Sequence, residues 1–341
     1  MRPWTSVEAS APTRIDLAGG TLDIWPLYLF HPGAMTLNMA IDLRAVVSVR
    51  PGKKVGHRLL GPGMTRWVDL PPVSGRSGHG PYALFVHALR HLSPARGADI
   101  RFTTAAPRGA GLAGSSALLA AVCGALLAVC DRKGARSGLV PVLRDIETGL
   151  LGVPAGVQDY YPALFGGVQA IHWGAGSVRR EGIPRVAGEL EKRLVLVYTG
   201  RSRRSGFNNW EIAKQHLDGD RRTRAMFVQI ARAAVRLYEA LKARDFQRAG
   251  RAMAEDARAR VRLYPGIRTP EIRDLEKILK RSGAQAVKVC GAGGGGCVVA
   301  YGPPDVRRRM AAAAAAGGYT VLRFRSDGTG LTVRREGAVG P

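Results

Sequence analysis

Apolar positions along the chain follow two periods. Alternating or β-branched runs predict strands at Ile41–Val49, closed by Pro51 and Gly52, and at Asp99–Thr104, Gly166–Trp173 and Arg193–Tyr198. Leu84, Phe85, Ala88, Leu89 and Leu92 recur at helical spacing, which predicts a helix over Pro81–Leu92. Ser115–Cys130 and Val140–Leu151 follow as helices, the second ended by Gly152. Gly61–Gly80 is dense in Gly and Pro and reads as loops around a short strand at Arg66–Leu70.

Past Gly200 the texture changes. Trp210–Arg262 is predicted largely helical, with Ile230, Ala234, Leu237 and Leu241 at helical spacing. A helix at Pro270–Ser282, a strand at Ala286–Val289, a glycine run, a strand at Cys297–Tyr301 and a helix at Asp305–Ala316 come next. Strands at Thr320–Arg325 and Gly330–Arg335 close the chain, and this rhythm predicts a second, small α+β unit. No tandem repeat is present.

Composition narrows the picture. At 341 residues the chain fits one large or two ordinary domains, and 46% hydrophobic residues exclude a mostly disordered or collagen-like chain. Fifty-one basic against 26 acidic residues give +25, carried mainly by Arg because only nine residues are Lys. That balance suits nucleic acid, a membrane surface or anionic substrates. A compositional bias of the source genome explains it as well. With 6% aromatics and no recognition motif, nucleic acid is not expected as the main partner. Between Arg201 and Arg281 stand 21 basic and 10 acidic side chains, which read as solvated helix faces.

Cys123 and Cys130 are seven apart, as are Cys290 and Cys297, without the short pairing of a zinc site, so free thiols in a reducing compartment are expected. Met1–Ser10 lacks the apolar core of a signal peptide. Leu112–Val129 is 18 residues without a charge, yet it holds Gly114, Ser115, Ser116 and Gly124 and begins in a glycine-rich loop. A helix in a domain core is expected there rather than a membrane span, and the protein is expected in the cytoplasm.

Three segments carry chemistry. Pro107-Arg-Gly-Ala-Gly-Leu-Ala-Gly-Ser-Ser-Ala117 sets three glycines and two hydroxyls at the start of an apolar helix. Glycines let backbone N–H groups approach phosphate, and a helix start adds partial positive charge. The segment lacks the Lys of a Walker motif. Ala11-Pro-Thr-Arg-Ile-Asp-Leu-Ala-Gly-Gly-Thr-Leu-Asp23 puts Arg14, Asp16 and Asp23 around a glycine turn. Lys288-Val-Cys-Gly-Ala-Gly-Gly-Gly-Gly-Cys297 is a strand–loop–strand, as readable as a flexible hairpin as a ligand loop.

In this order and spacing the segments resemble the GHMP small-molecule kinases, the family of galactokinase, homoserine kinase, mevalonate kinase and phosphomevalonate kinase, from about Ala11 to Val299. Glu147 and Asp159, with eleven residues between them, are a further match. Ala18-Gly-Gly20 with Asp23, Gly152–Asp159, Gly166-Gly-Val-Gln169 and Thr199-Gly-Arg-Ser-Arg203 are similar to the heptose 7-phosphate kinase-like branch. Two departures stand out: Leu112-Ala113-Gly114-Ser115-Ser116 replaces the usual Leu-Gly-Ser-Ser, and Tyr160 takes a place commonly held by Gln. The second bears on the substrate pocket.

The resemblance implies an α+β fold of two domains, residues 1–191 and 192–341, the first ribosomal S5 domain 2-like and the second ferredoxin-like. It implies ATP-dependent phosphorylation of a hydroxyl on a sugar or sugar phosphate, with a heptose 7-phosphate-like substrate first. The alternatives are a free galactose, fucose or uronic acid, or a non-catalytic sugar- or nucleotide-sensing regulator. Pro107, Gly109, Ala110, Gly111, Leu112, Ala113, Gly114, Ser115 and Ser116 would wrap the ATP phosphates. Ser115 or Ser116 with Glu147 would hold Mg²⁺, Asp159 would act as base, and Arg14 would balance charge. Gly20, Asp23, Arg203, Gly293 and Gly294 would meet the substrate.

Overall fold

The structure, a computed structural model, describes residues 6–52, 56–72, 80–92, 94, 96–132, 135–202 and 209–335. Alternately buried apolar residues build a first sheet. It holds β1 (Val7–Ala18), β2 (Met35–Pro51), β3 (His57–Leu60), β4 (Val68–Asp69), β5 (Ala98–Thr104), β6 (Val168–Gly174) and β7 (Ser177–Gly182). β2 is its spine, 17 residues long. One edge pairs with β1, and the other is shared by β5 over residues 45–51 and β6 over residues 35–39. The β1–β2 register shifts between Pro12 and Thr13, where proline has no N–H for the ladder.

Against this sheet lie α1 (Ala83–Leu92), α2 (Gly114–Val129), α3 (Arg136–Leu151) and the short α4 (Tyr160–Phe165). α2 is apolar nearly all round and is buried accordingly, between β1 and β2 on one side and its neighbouring helices on the other. The uncharged run is thus a core helix. Among the described residues no helix is long and apolar enough to cross a membrane.

The short α5 (Ala187–Glu191) leads into the second unit, whose first strand is β8 (Leu194–Tyr198). Then come α6 (Asn209–Leu217), α7 (Arg221–Lys242), α8 (Phe246–Leu263), α9 (Pro270–Arg281), β9 (Ala286–Val289), β10 (Cys297–Tyr301), α10 (Arg307–Ala316) and β11 (Thr320–Leu322). The sheet order β11-β8-β10-β9 with antiparallel pairings is the ferredoxin-like arrangement. Leu194 and Leu196 pack with Leu237 and Met253 of α7 and α8, while Val195 and Val197 pack with Leu275 and Leu279 of α9. Alternation along β8 therefore separates two cores.

The block at Trp210–Arg262 is largely helical as expected, divided into three helices because the carboxylates of Asp220 and Asp245 accept from the N–H groups of Thr223 and Arg248 and start new helices. Two sequence expectations need correction. The strand foreseen at Thr320–Arg325 stops at Leu322. The last strand, β12 (Thr332–Arg335), does not join the second sheet; it pairs antiparallel with β1 from Val7 to Ser10. Leu331, just before it, packs on α2 in the core of the first unit. The first sheet thus draws strands from both ends of the described chain. α4, β7 and α5 were not foreseen, being short or largely exposed.

Candidate active site

The second core runs across the joint between the units: Ile15, Met39 and Leu112 from the first share it with Leu196, Cys290 and Cys297 from the second. The three glycine segments meet above that joint. β1 carries Arg14 and Asp16 two residues apart, so both side chains leave the same face. Arg14 is 4% exposed. Its Nε donates to Asp159 Oδ1 at 2.8 Å, its Nη1 to the Gly111 carbonyl at 2.8 Å, and its backbone N–H to the Leu112 carbonyl at 3.0 Å. Burial works against the guanidinium charge, but Asp159 and Asp16 together outweigh it and hold the pKa above its ordinary value.

The loop before α2 is clamped from both sides. Gly111 has φ 75°, and a Cβ there would lie 2.4 Å from the Cys290 carbonyl oxygen. Only glycine fits that approach. The Ala110 carbonyl accepts from the Cys297 N–H at 2.8 Å, so the late glycine loop holds the earlier one. Ala113 sits in the left-handed region, φ 60° and ψ 35°, immediately before α2. The helix ladder begins with the Ala117 N–H on the Ala113 carbonyl, which leaves the amides of Gly114, Ser115 and Ser116 without a helical acceptor. A Cβ on Gly114 would meet nothing within 4 Å, so this helix start is open. Ser115 is exposed and Ser116 buried.

Asp159 pairs with this arginine, and Glu147 and Asp23 lie close enough to feel the charge of Asp159. Asp159 precedes α4 and its side chain is 24% exposed. Glu147 comes from α3 and receives the Tyr160 hydroxyl on Oε2. Burial pushes its pKa up to about 7, against the Tyr160 hydrogen bond and helped by the charges of Asp159 and Asp23. Asp23 is 3% exposed, accepting the Gln158 N–H on Oδ2 at 2.9 Å and the Gln158 side-chain amide on Oδ1 at 3.2 Å. Burial raises its pKa to about 6, against the Gln158 bond. Arg14, Asp23, Glu147 and Asp159 are brought together as the sequence suggested.

The other expected residues are distributed differently. Gly20 is buried, with a hypothetical Cβ 2.4 Å from Arg260 Nη1 and 2.6 Å from Asp16 Oδ2. Gly293 packs on Ile267, and the Gly294 N–H donates to the Ile267 carbonyl at 3.2 Å. Arg203 lies outside the described residues. Its neighbour Arg201 is 72% exposed and pairs with Glu271 at 3.0 Å. Tyr160 turns away from the opening at the start of α2 into the first core, fully buried, with its hydroxyl on Glu147 and within 3.3 Å of the Leu143 carbonyl.

Sequence reasoning missed a buried charge cluster under the site. Lys288 pairs with Asp256 and stands 3.4 Å from Asp16; Arg260 stands 3.6 Å from Asp16 and donates to the Gly291 carbonyl at 2.8 Å. Asp256 also accepts the Gly19 N–H at 2.9 Å, so the cluster joins the Gly19–Gly20 turn to the late glycine loop. A signal existed: Asp256 and Arg260 fall in phase with Ala249, Ala252, Met253 and Ala259 on the buried stripe of α8.

Two α+β units joined along one core, with glycine loops from both meeting at the joint, define a two-domain fold of the small-molecule kinase class. Residues 82–167 match the family model described as GHMP kinases N terminal domain, and residues 237–320 match GHMP kinases C terminal. The chain belongs to the GHMP kinases. It is 28% identical over 191 residues, 55% of its length, to the D-glycero-alpha-D-manno-heptose 7-phosphate kinase of Campylobacter jejuni. It is 25% identical over 274 residues, 74% of its length, to the bifunctional fucokinase/GDP-fucose pyrophosphorylase of Arabidopsis thaliana. The chain spans 56% of the first relative and 26% of the second. A solved D-glycero-D-manno-heptose 1-phosphate kinase from Bacteroides thetaiotaomicron shares the fold with a TM-score of 0.77 and 20% identity, over 97% of this chain and 100% of that one.

Proposed function

We propose that this chain is an ATP-dependent phosphotransferase acting on a hydroxyl of a sugar phosphate of the heptose 7-phosphate type. The observation that carries the reading is the double grip of Arg14, on the Asp159 carboxylate and on the carbonyl of Gly111. It holds a carboxylate beside a helix start with three free amides, the combination phosphoryl transfer needs. Arg14 occupies Oδ1 of Asp159, and Oδ2 is the oxygen that receives the proton of the attacking hydroxyl. The amides of Gly114, Ser115 and Ser116 take the nucleotide phosphates, with the positive end of α2 behind them. Arg14 offsets charge as the phosphoryl group moves, and Asp23 orients a sugar hydroxyl.

The donor set fits Mg²⁺. Burial, with a smaller contribution from the charge of neighbouring Asp159, raises the pKa values of Asp23 and Glu147, and Arg14 is paired with Asp159 alone of the three, so a cation beside these carboxylates would be favoured. Among the described residues no three His, Cys, Asp or Glu side chains form a metal cage. Mg²⁺ is ordinarily held by one or two carboxylates with substrate phosphates and waters, so Glu147 with a Ser115 or Ser116 hydroxyl suffices. When bound, the ion neutralises phosphate charge.

The likeness to the heptose 7-phosphate kinase supports a phosphorylated substrate, and the likeness to the fucokinase supports a free sugar. An ATP-consumption screen over heptose 7-phosphate, heptose 1-phosphate, fucose, galactose and a uronic acid separates them. Turnover of a sugar phosphate is expected, and Asp159→Asn should lower kcat about 10²–10⁴-fold with ATP affinity unchanged. ATP binding without turnover of any sugar would instead mark a sensing regulator.

A further inference from the structure

Tyr160 is the residue at which this chain leaves the usual pattern, and its surroundings give it a task. It opens α4 directly after Asp159, with its ring fully buried among the residues of α2 and α3. Its hydroxyl carries a single hydrogen and points at Oε2 of Glu147. Glu147 has no arginine or lysine partner among the described residues, and Tyr160 is its side-chain donor. A half-buried carboxylate left without a donor loses its fixed orientation as well as its solvation. Oε2 is committed to the phenol, which leaves Oε1 available. Because Asp159 and Tyr160 are adjacent, the backbone that sets the first carboxylate also sets the donor that fixes the second.

We propose that Tyr160 is a positioning residue for Glu147: its hydroxyl holds one carboxylate oxygen and thereby presents the other to the divalent cation that accompanies the nucleotide. The proposal rests on the reading of Glu147 as a metal ligand. Hydrogen bonds of this kind, made to a ligand and not to the metal, typically carry a 10–100-fold effect on metal affinity.

Mn²⁺ binding, followed by electron paramagnetic resonance in the presence of a non-hydrolysable ATP analogue, tests it. Tyr160→Phe keeps the ring in the core and removes the hydroxyl. Its Mn²⁺ affinity should fall about 10–100-fold, with metal-free affinity for the analogue within about twofold of wild type. In a Glu147→Gln background, itself weak for Mn²⁺, the same change should cost nothing further, because its effect passes through Glu147. A folded Tyr160→Phe that binds Mn²⁺ like wild type overturns the proposal, as does an equal loss in the Glu147→Gln background. Glu147→Gln with wild-type Mn²⁺ affinity overturns the metal-ligand reading itself and the proposal with it, so the two failures are distinguishable.

A second measurement leaves Tyr160 intact. Mn²⁺ added to the wild-type protein with the analogue should shift the near-UV absorbance of a buried tyrosine, and Glu147→Gln should abolish the shift. Absence of the shift in wild type overturns the proposal even if Tyr160→Phe does not fold.

Discussion

Gly114 and Gly111 stand three residues apart in one loop, yet a side chain at each meets different surroundings. At Gly111 a Cβ runs into the Cys290 carbonyl, so Gly111→Val disturbs the joint between the units before any ligand is considered. Gly114 faces open space at the start of α2. Gly114→Val should therefore keep the melting temperature and weaken ATP binding at least about tenfold, read by calorimetry, because it blocks approach to the free amides. Asp23 gives a pH test. Burial raises its folded pKa to about 6 from an ordinary value of 3.8, so its favourable contribution is complete below about pH 4 and is lost as pH rises through 6. The difference corresponds to about 3 kcal/mol. Asp23→Asn should remove this dependence, so wild type minus variant stability should fall between pH 4 and pH 7 in urea titrations. Arg14, Glu147 and Asp159 could be singled out only because the segments that carry them resemble GHMP kinase motifs; alone, each segment reads as an ordinary strand, turn or helix end. The partner of Tyr160 was not legible, since a side chain 13 positions away on another helix leaves no local period.

Helix α8 is where elements meet. Its buried stripe carries Asp256 and Arg260 among alanines, under Lys288 from β9 and Asp16 from β1. Removing one member of such a group leaves a charge buried without its counter-charge, which costs about 3–5 kcal/mol, whereas replacing a pair by apolar residues of similar volume is often neutral. Asp256→Asn should thus lower stability by about that amount in a urea melt. Asp256→Leu with Lys288→Met should recover much of it. A smaller loss in the single variant would mean that Asp16 already balances Lys288. Periodicity revealed the helical content of residues 210–262 but not its division, because the apolar phase does not announce a cap. The breaks lie at Asp220 and Asp245, whose side chains bind the N–H three residues on. The charged stripe on α8 was readable in principle, as a polar residue in core phase.

The two units are not consecutive stretches of chain. β8 through β11 form one sheet, while β12 returns to β1 and Leu331 packs against α2 beneath it. Leu331→Ala should cost about 2–5 kcal/mol, comparable to Leu126→Ala in α2, although Leu331 follows the whole second unit in sequence. A loss under about 1 kcal/mol would show that the closing strand is marginal. Strand content near residue 330 was visible from the β-branched run, but which sheet it joins depends on distance in space, and a single chain with no alignment carries no signal for that. Pairing of Val7 with Arg335 also has a meaning for how the protein is made. A ribosome releases β1 more than three hundred residues before β12, so the outer edge of β1 waits, open to other strands, while the residues between them are made. A gene rearranged to encode residues 326–335 ahead of residue 6, through a short linker, would bring the two strands out together as a hairpin and shorten that exposed interval.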